Sequence, residues 1–129
     1  RMVDEGLCDL VMTAHVFNAN LDPEYPATLS KRVLQGLLRE KLGYKGVITS
    51  DDMEMKAISA RYGLENAIQM GIEAGLDILC FGNNMAYDRN IGEKVHGIIL
   101  RLVESGRISE ERINDSYQRV MALKQKIAS

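Results

Sequence analysis

Three short apolar runs constrain this chain most. They are Asp9-Leu10-Val11-Met12-Thr13-Ala14, Gly46-Val47-Ile48-Thr49-Ser50 and Asp77-Ile78-Leu79-Cys80-Phe81. Their apolar character is nearly continuous rather than alternating, as in parallel strands covered on both faces. Helical patterns lie between them. Val33, Leu34, Leu37, Leu38 and Leu42 recur at helical spacing over Lys31 to about Lys41, with Thr28-Leu29-Ser30 as cap and Gly43 as stop. Leu64, Ala67, Ile68 and Ile72 mark a helix from about Gly63 to Ala74, stopped by Gly75. The spacing of the runs suits βαβ crossovers. Two further helices come after the third run, from about Ile91 to Ser105 and from Ser109 onward, where Ser109 suits an N-cap. The expected fold class is therefore α/β with parallel strands. Three strands are few for a stable parallel sheet, and Arg1 to Leu7 reads as the end of a helix stopped by Gly6. The expectation is the C-terminal part of a larger α/β unit.

Ser50-Asp51-Asp52 closes the second run, and a helical pattern begins at Met53. Two carboxylates at the end of a buried strand are costly unless hydrogen-bonded, paired or used. Parallel α/β folds carry their chemistry at that end of their strands. A helix N-cap is the structural alternative. His15 ends the first run at the same face, either lining a pocket or satisfied within the protein. Asn83 and Asn84 come directly after the third run and suit a turn better than a ligand contact. Met12, Met53 and Met55 read as packing residues.

Composition removes several functions. Net charge is −2 across 129 residues, and no basic stripe exists to bind a nucleic-acid polyanion. No apolar stretch reaches the ~18 residues of a membrane span. His15 and His96 have no metal-ligand spacing, so no metal or other cofactor is expected. Cys8 and Cys80 lie in strand-like runs and read as two buried free thiols, compatible with a cytoplasmic compartment.

Four strings stand out together: Val11-Met12-Thr13-Ala14-His15-Val16, Pro26-Ala27-Thr28-Leu29-Ser30, the run from Leu38 through Gly43-Tyr44-Lys45-Gly46 to Asp51-Asp52-Met53-Glu54-Met55, and Ala74-Gly75-Leu76-Asp77-Ile78-Leu79. In this order they resemble glycoside hydrolase family 3, above all its single-domain β-N-acetylhexosaminidases. The tail from Arg112 to Lys124 is similar to the end of that family's catalytic domain. The resemblance implies that residues 1–129 are the C-terminal portion of such a domain, the last three strand–helix units of a (β/α)8-type barrel. It implies a retaining mechanism on a carbohydrate substrate, with Asp51 as the catalytic nucleophile. Asp52 would be a supporting carboxylate, and with His15 it would bind substrate. The branch's acid/base Asp–His pair and its sugar-binding Lys-His string lie earlier in the barrel and are missing here. The isolated chain is thus expected to be inactive. Its expected partner is the remainder of the barrel, or a second copy through exposed strand edges.

Two rival readings stand beside this one. A β-glucosidase or β-xylosidase of the same family would carry the same strings. An acidic pocket of the response-regulator kind would hold Mg²⁺ at the Asp pair, but it needs a strand-end lysine where this chain has Phe81-Gly82-Asn83.

Overall fold

The computed structural model describes residues 1–84 and 87–128. Leu10–Met12 (β1), Val47–Asp52 (β2) and Ile78–Cys80 (β3) form one parallel sheet in the order β1-β2-β3. Each strand is followed by helix: a π-wound helix Arg32–Lys41 after β1, α1 (Lys56–Tyr62) and α2 (Leu64–Ala74) after β2, and α3 (Ile91–Glu104) and α4 (Glu110–Ala128) after β3. The chain is α/β, three consecutive strand–helix units of a partial barrel. Among the described residues no helix is long and apolar enough to cross a membrane.

Local chemistry explains the boundaries. Gly43, Gly75 and Gly106 end their helices at positive φ, the left-handed conformation that glycine reaches without strain. Val33 donates its N–H to the Ser30 hydroxyl at 3.1 Å, and Arg112 donates to Ser109 at 3.2 Å, so both expected caps are made. No helix starts at Met53. The extended chain runs on to Asp52 and turns, and Gly63, at φ 73°, divides the next helical stretch into α1 and α2.

The core fills the space between the sheet and the helices. Ile48 packs with Leu34, Tyr44, Ala74 and Leu76. Met53 packs with Leu29, Ile58 and Ala67. Ile68, Ile72, Val95, Ile98, Leu102 and Ile108 bind α2 to α3. The other sheet face is covered only in part, contrary to the expectation of cover on both faces: Val47 is buried, but Leu10 is 44% and Met12 65% exposed. Apolar continuity therefore signals here a face that these 129 residues do not fully cover. Met53 is buried as expected, whereas Met12 and Met55 are exposed among these residues. Cys8 and Cys80 are free thiols, but neither is fully buried as expected: Cys8 is half-buried, and Cys80 is exposed on that uncovered side.

Below the sheet, at the start of β3, Asp77 ties four elements together. Its side chain is completely buried. Oδ2 accepts from Arg39 Nη2 at 2.7 Å and from the Ile48 N–H at 2.9 Å. Oδ1 accepts from the Ser116 hydroxyl at 2.6 Å and from Arg119 at 3.0 Å. Arg112 stands at 3.9 Å and donates to the carbonyls of Ile72 and Leu76. Burial pushes the Arg39 and Arg112 guanidinium groups below their usual pKa, and the Asp77 charge opposes that shift.

Candidate active site

At the upper end of the sheet, β2 is irregular. Thr49 pairs with Ile78 and Asp52 with Cys80, so β2 advances three residues while β3 advances two. The extra residue is a β-bulge, a device that re-aims side chains and often borders active sites. The Ser50 hydroxyl takes the Cys80 N–H at 2.8 Å, so that no backbone donor is lost at the bulge. Asp51 and Asp52 stand on and just beyond this irregularity, at the C-terminal end of the central strand.

Asp52 is held on every side. Its N–H donates to Asp51 Oδ1 at 2.7 Å. Its carbonyl accepts from His15 Nε2 at 2.8 Å. Its Oδ1 accepts the N–H groups of Glu54 at 3.0 Å and Gly82 at 2.9 Å. A Cβ at position 82 would run into Asp52 Oδ2, so the loop can approach this closely only as glycine. Asp51 is treated differently. It is partly buried, and among the described residues its carboxylate takes one hydrogen bond, the Asp52 N–H on Oδ1.

The His15 side of the site is assembled from a long loop. His15 Nδ1 lies 2.9 Å from the Thr28 hydroxyl, which lies 3.0 Å from that of Thr13. Thr28 is fully buried in a single 3₁₀ turn, Ala27–Leu29. Asp22 fastens that turn: Oδ1 accepts from the N–H groups of Glu24 at 2.8 Å and Tyr25 at 3.1 Å, and Oδ2 accepts from the Ser30 hydroxyl at 2.5 Å. Desolvation alone would raise the Asp22 pKa. The bonds from Ser30, Glu24 and Tyr25 and the charge of Arg32 outweigh it and hold the carboxyl below its ordinary value.

The opposite side comes from the loop after β3. Glu54 Oε2 accepts the Asn83 N–H at 2.5 Å. Asn83 adopts φ 51° and exchanges two hydrogen bonds with the Asp88 backbone, at 2.9 and 2.8 Å. Asn83 is thus a turn residue.

The structure brings Asp51, Asp52 and His15 together at one strand end, as expected from their positions. It spends Asp52 Oδ1 on two backbone donors and both His15 nitrogens on protein partners, so neither nitrogen is left to face a ligand. Thr28, Glu54 and Gly82 belong to the same assembly. The sequence marks Thr28 only as part of a helix cap, and nothing local to Glu54 or Gly82 signals contacts across nearly thirty residues. An apolar groove of about 630 Å³ among Leu79, Phe81, Ile91, Val95 and Ile113 lies elsewhere and does not include the carboxylates. The concentration of polar groups, not cavity size, marks the site.

A family model described as the Glycosyl hydrolase family 3 N terminal domain matches residues 1–123. The chain belongs to glycosyl hydrolase family 3. An uncharacterized secreted glycosyl hydrolase of Arthroderma benhamiae is 34% identical over 94% of this chain and 33% of its own length. A beta-hexosaminidase of Tolumonas auensis is 38% identical over 67% of this chain and 25% of its own. Among solved structures, the family 3 beta-N-acetylglucosaminidase of a Paenibacillus species superposes on 98% of this chain with a TM-score of 0.85 and 46% identity, over 23% of its own length. The chain thus spans a quarter to a third of these relatives, each of which is a larger protein.

Proposed function

We propose that this chain carries the nucleophile of a retaining hydrolase acting on terminal N-acetyl-β-glucosaminides, with residues 1–129 forming the C-terminal portion of its catalytic domain. The observation that supports this reading most is the contrast within the Asp51-Asp52 pair. Asp52 is locked into backbone bonds, while Asp51 keeps an oxygen with no bond to it among the described residues. A nucleophile needs that combination: a fixed neighbour and a free lone pair. An Asp51 oxygen attacks the anomeric carbon as the glycosidic C–O bond breaks, and the departing oxygen takes a proton from a general acid. Water then hydrolyses the glycosyl–Asp51 ester, with the conjugate base accepting its proton. Asp52 supports the pair, and His15 borders the same strand end.

The general acid and most of the sugar pocket lie outside these residues, in the remainder of the barrel. The exposed part of the sheet face, at Leu10 and Met12, is where that remainder would pack. General acid catalysis contributes about a hundred- to ten-thousandfold, so the isolated chain is expected to leave aryl N-acetyl-β-glucosaminides unhydrolysed. A cytoplasmic compartment rests on the free thiols alone and is set against a fungal relative named as secreted. The test is a mechanism-based 5-fluoro sugar applied to the active enzyme that contains this chain. The label is expected on Asp51; a labelled peptide mapping to Asp52 overturns the assignment.

A further inference from the structure

We infer that His15 is a positioning residue: it holds the strand end that carries Asp51 by donating Nε2–H to the Asp52 carbonyl, and it does so without touching sugar. The inference rests on Asp51 being the nucleophile, but its geometry is independent of that assignment.

Hydrogen-bond chemistry fixes the direction of the contact to Asp52. Asp52 O is a carbonyl and can only accept, so the proton at the 2.8 Å contact sits on His15 Nε2. His15 Nδ1 lies 2.9 Å from the Thr28 hydroxyl, which lies 3.0 Å from that of Thr13. The relay of contacts runs from Thr13 through Thr28 and His15 to Asp52, and its first two members are buried. Thr13 also donates its N–H to Thr49 O at 2.9 Å, so the relay begins and ends on the two strands it joins.

This bond acts where the ladder gives out. The regular register of β1 on β2 ends at Met12 with Thr49, three residues before Asp52. From there His15 replaces the missing ladder on the β1 side, while the Gly82 N–H holds the Asp52 carboxylate on the β3 side. Asp52, the residue next to Asp51, is therefore held from both sides, at its carbonyl by His15 and at its carboxylate by Gly82. A reacting oxygen displaced by about 1 Å loses on the order of a hundredfold in rate. The imidazole is the part of that clamp that a single substitution removes without altering the sheet.

The experiment compares His15→Ala and His15→Gln in the active enzyme that contains this chain, with an aryl N-acetyl-β-glucosaminide as substrate and the 5-fluoro sugar as trap. Glutamine places an amide N–H near the position of Nε2. His15→Ala is expected to lower kcat about ten- to a hundredfold with KM within about twofold, and to slow trapping in the same proportion. His15→Gln is expected to recover most of both. A loss carried by KM would mean a sugar contact and overturn the inference, as would unchanged kcat or a Gln variant no better than Ala. Should either variant fail to fold, ¹⁵N spectra of the unmodified enzyme decide: a ring proton on Nε2 supports the inference, and one on Nδ1 alone overturns it. The trapped residue separates the two readings. A label away from Asp51 sinks the proposed function, whereas a label on Asp51 with His15-independent trapping sinks only the role of His15.

Discussion

Asp77 and Asp51 sit at opposite ends of the same three strands and are treated in opposite ways. Asp77, below β3, is completely buried, and both of its oxygens are filled by Arg39, Ile48 N–H, Ser116 and Arg119. Asp51, at the top of β2, is partly buried and accepts one backbone N–H from its own neighbour. A carboxylate whose lone pairs are all used can hold elements together but has none left for chemistry. One with an oxygen to spare contributes little to the fold and can react. The division matches the general rule for (β/α)8 proteins, in which the N-terminal face of the strands carries stability and the C-terminal face carries catalysis.

The comparison breaks most sharply under Asp51→Asn. The amide oxygen still accepts the Asp52 N–H, so the unfolding free energy of the chain should change by about 0.5 kcal/mol or less. Activity of the enzyme that contains the chain should fall roughly a thousandfold or more, as for loss of other catalytic groups. Near-normal turnover by this variant would place the chemistry elsewhere.

Asp77→Ala should do the reverse. It leaves the guanidinium groups of Arg39, Arg112 and Arg119 facing one another without their shared counter-charge. Removing one partner of a buried ion pair costs about 3–5 kcal/mol. Urea unfolding of this chain measures it, and a cost below about 1 kcal/mol would show that Asp77 is not the pin its geometry describes.

The two ends were not equally legible in the sequence. The strand runs, the stops at Gly43, Gly75 and Gly106 and the Ser30 and Ser109 caps are local signals that match the structure, whereas the helix expected from Met53 begins only at Lys56. The Asp51-Asp52 pair was legible because a polar pair directly after an apolar run breaks a local pattern. The Asp77 cluster was not, because its partners lie 29 to 42 residues away and Arg39, Ser116 and Arg119 each look like an ordinary surface residue of a helix. The bulge was hidden too: it depends on register between β2 and β3, which no single strand's pattern reveals. Burial was misjudged at Cys80, Met12 and Met55 because an apolar residue states what it prefers, not what is present to cover it.

A smaller effect tests how tightly the upper end is assembled. Gly82→Ala would drive its Cβ into Asp52 Oδ2. Overpacking of this kind costs about 1–3 kcal/mol. The origin can be isolated by a double-mutant cycle, since the same substitution made in an Asp52→Ala background should cost much less. Equal costs in the two backgrounds would assign the strain to something other than Asp52.

The smallest expected effect concerns Asp22, which joins neither carboxylate but fastens the turn that carries Thr28. Its folded pKa lies below the ordinary value of 3.8, because the bonds from Ser30, Glu24 and Tyr25 and the nearby Arg32 outweigh its desolvation. A depressed folded pKa means that the unfolded chain takes up the proton first as pH falls. The contribution of Asp22 is therefore whole above about pH 4 and is lost as pH drops through the folded value. Asp22→Asn removes the charge at every pH. The stability difference between the two proteins, followed by urea unfolding from pH 7 downward, should be constant to about pH 4 and shrink below it. A difference that grows on acidification would mean that the carboxyl is protonated in the fold before it is protonated in the unfolded chain, and the lock on the Thr28 turn would then not depend on its charge.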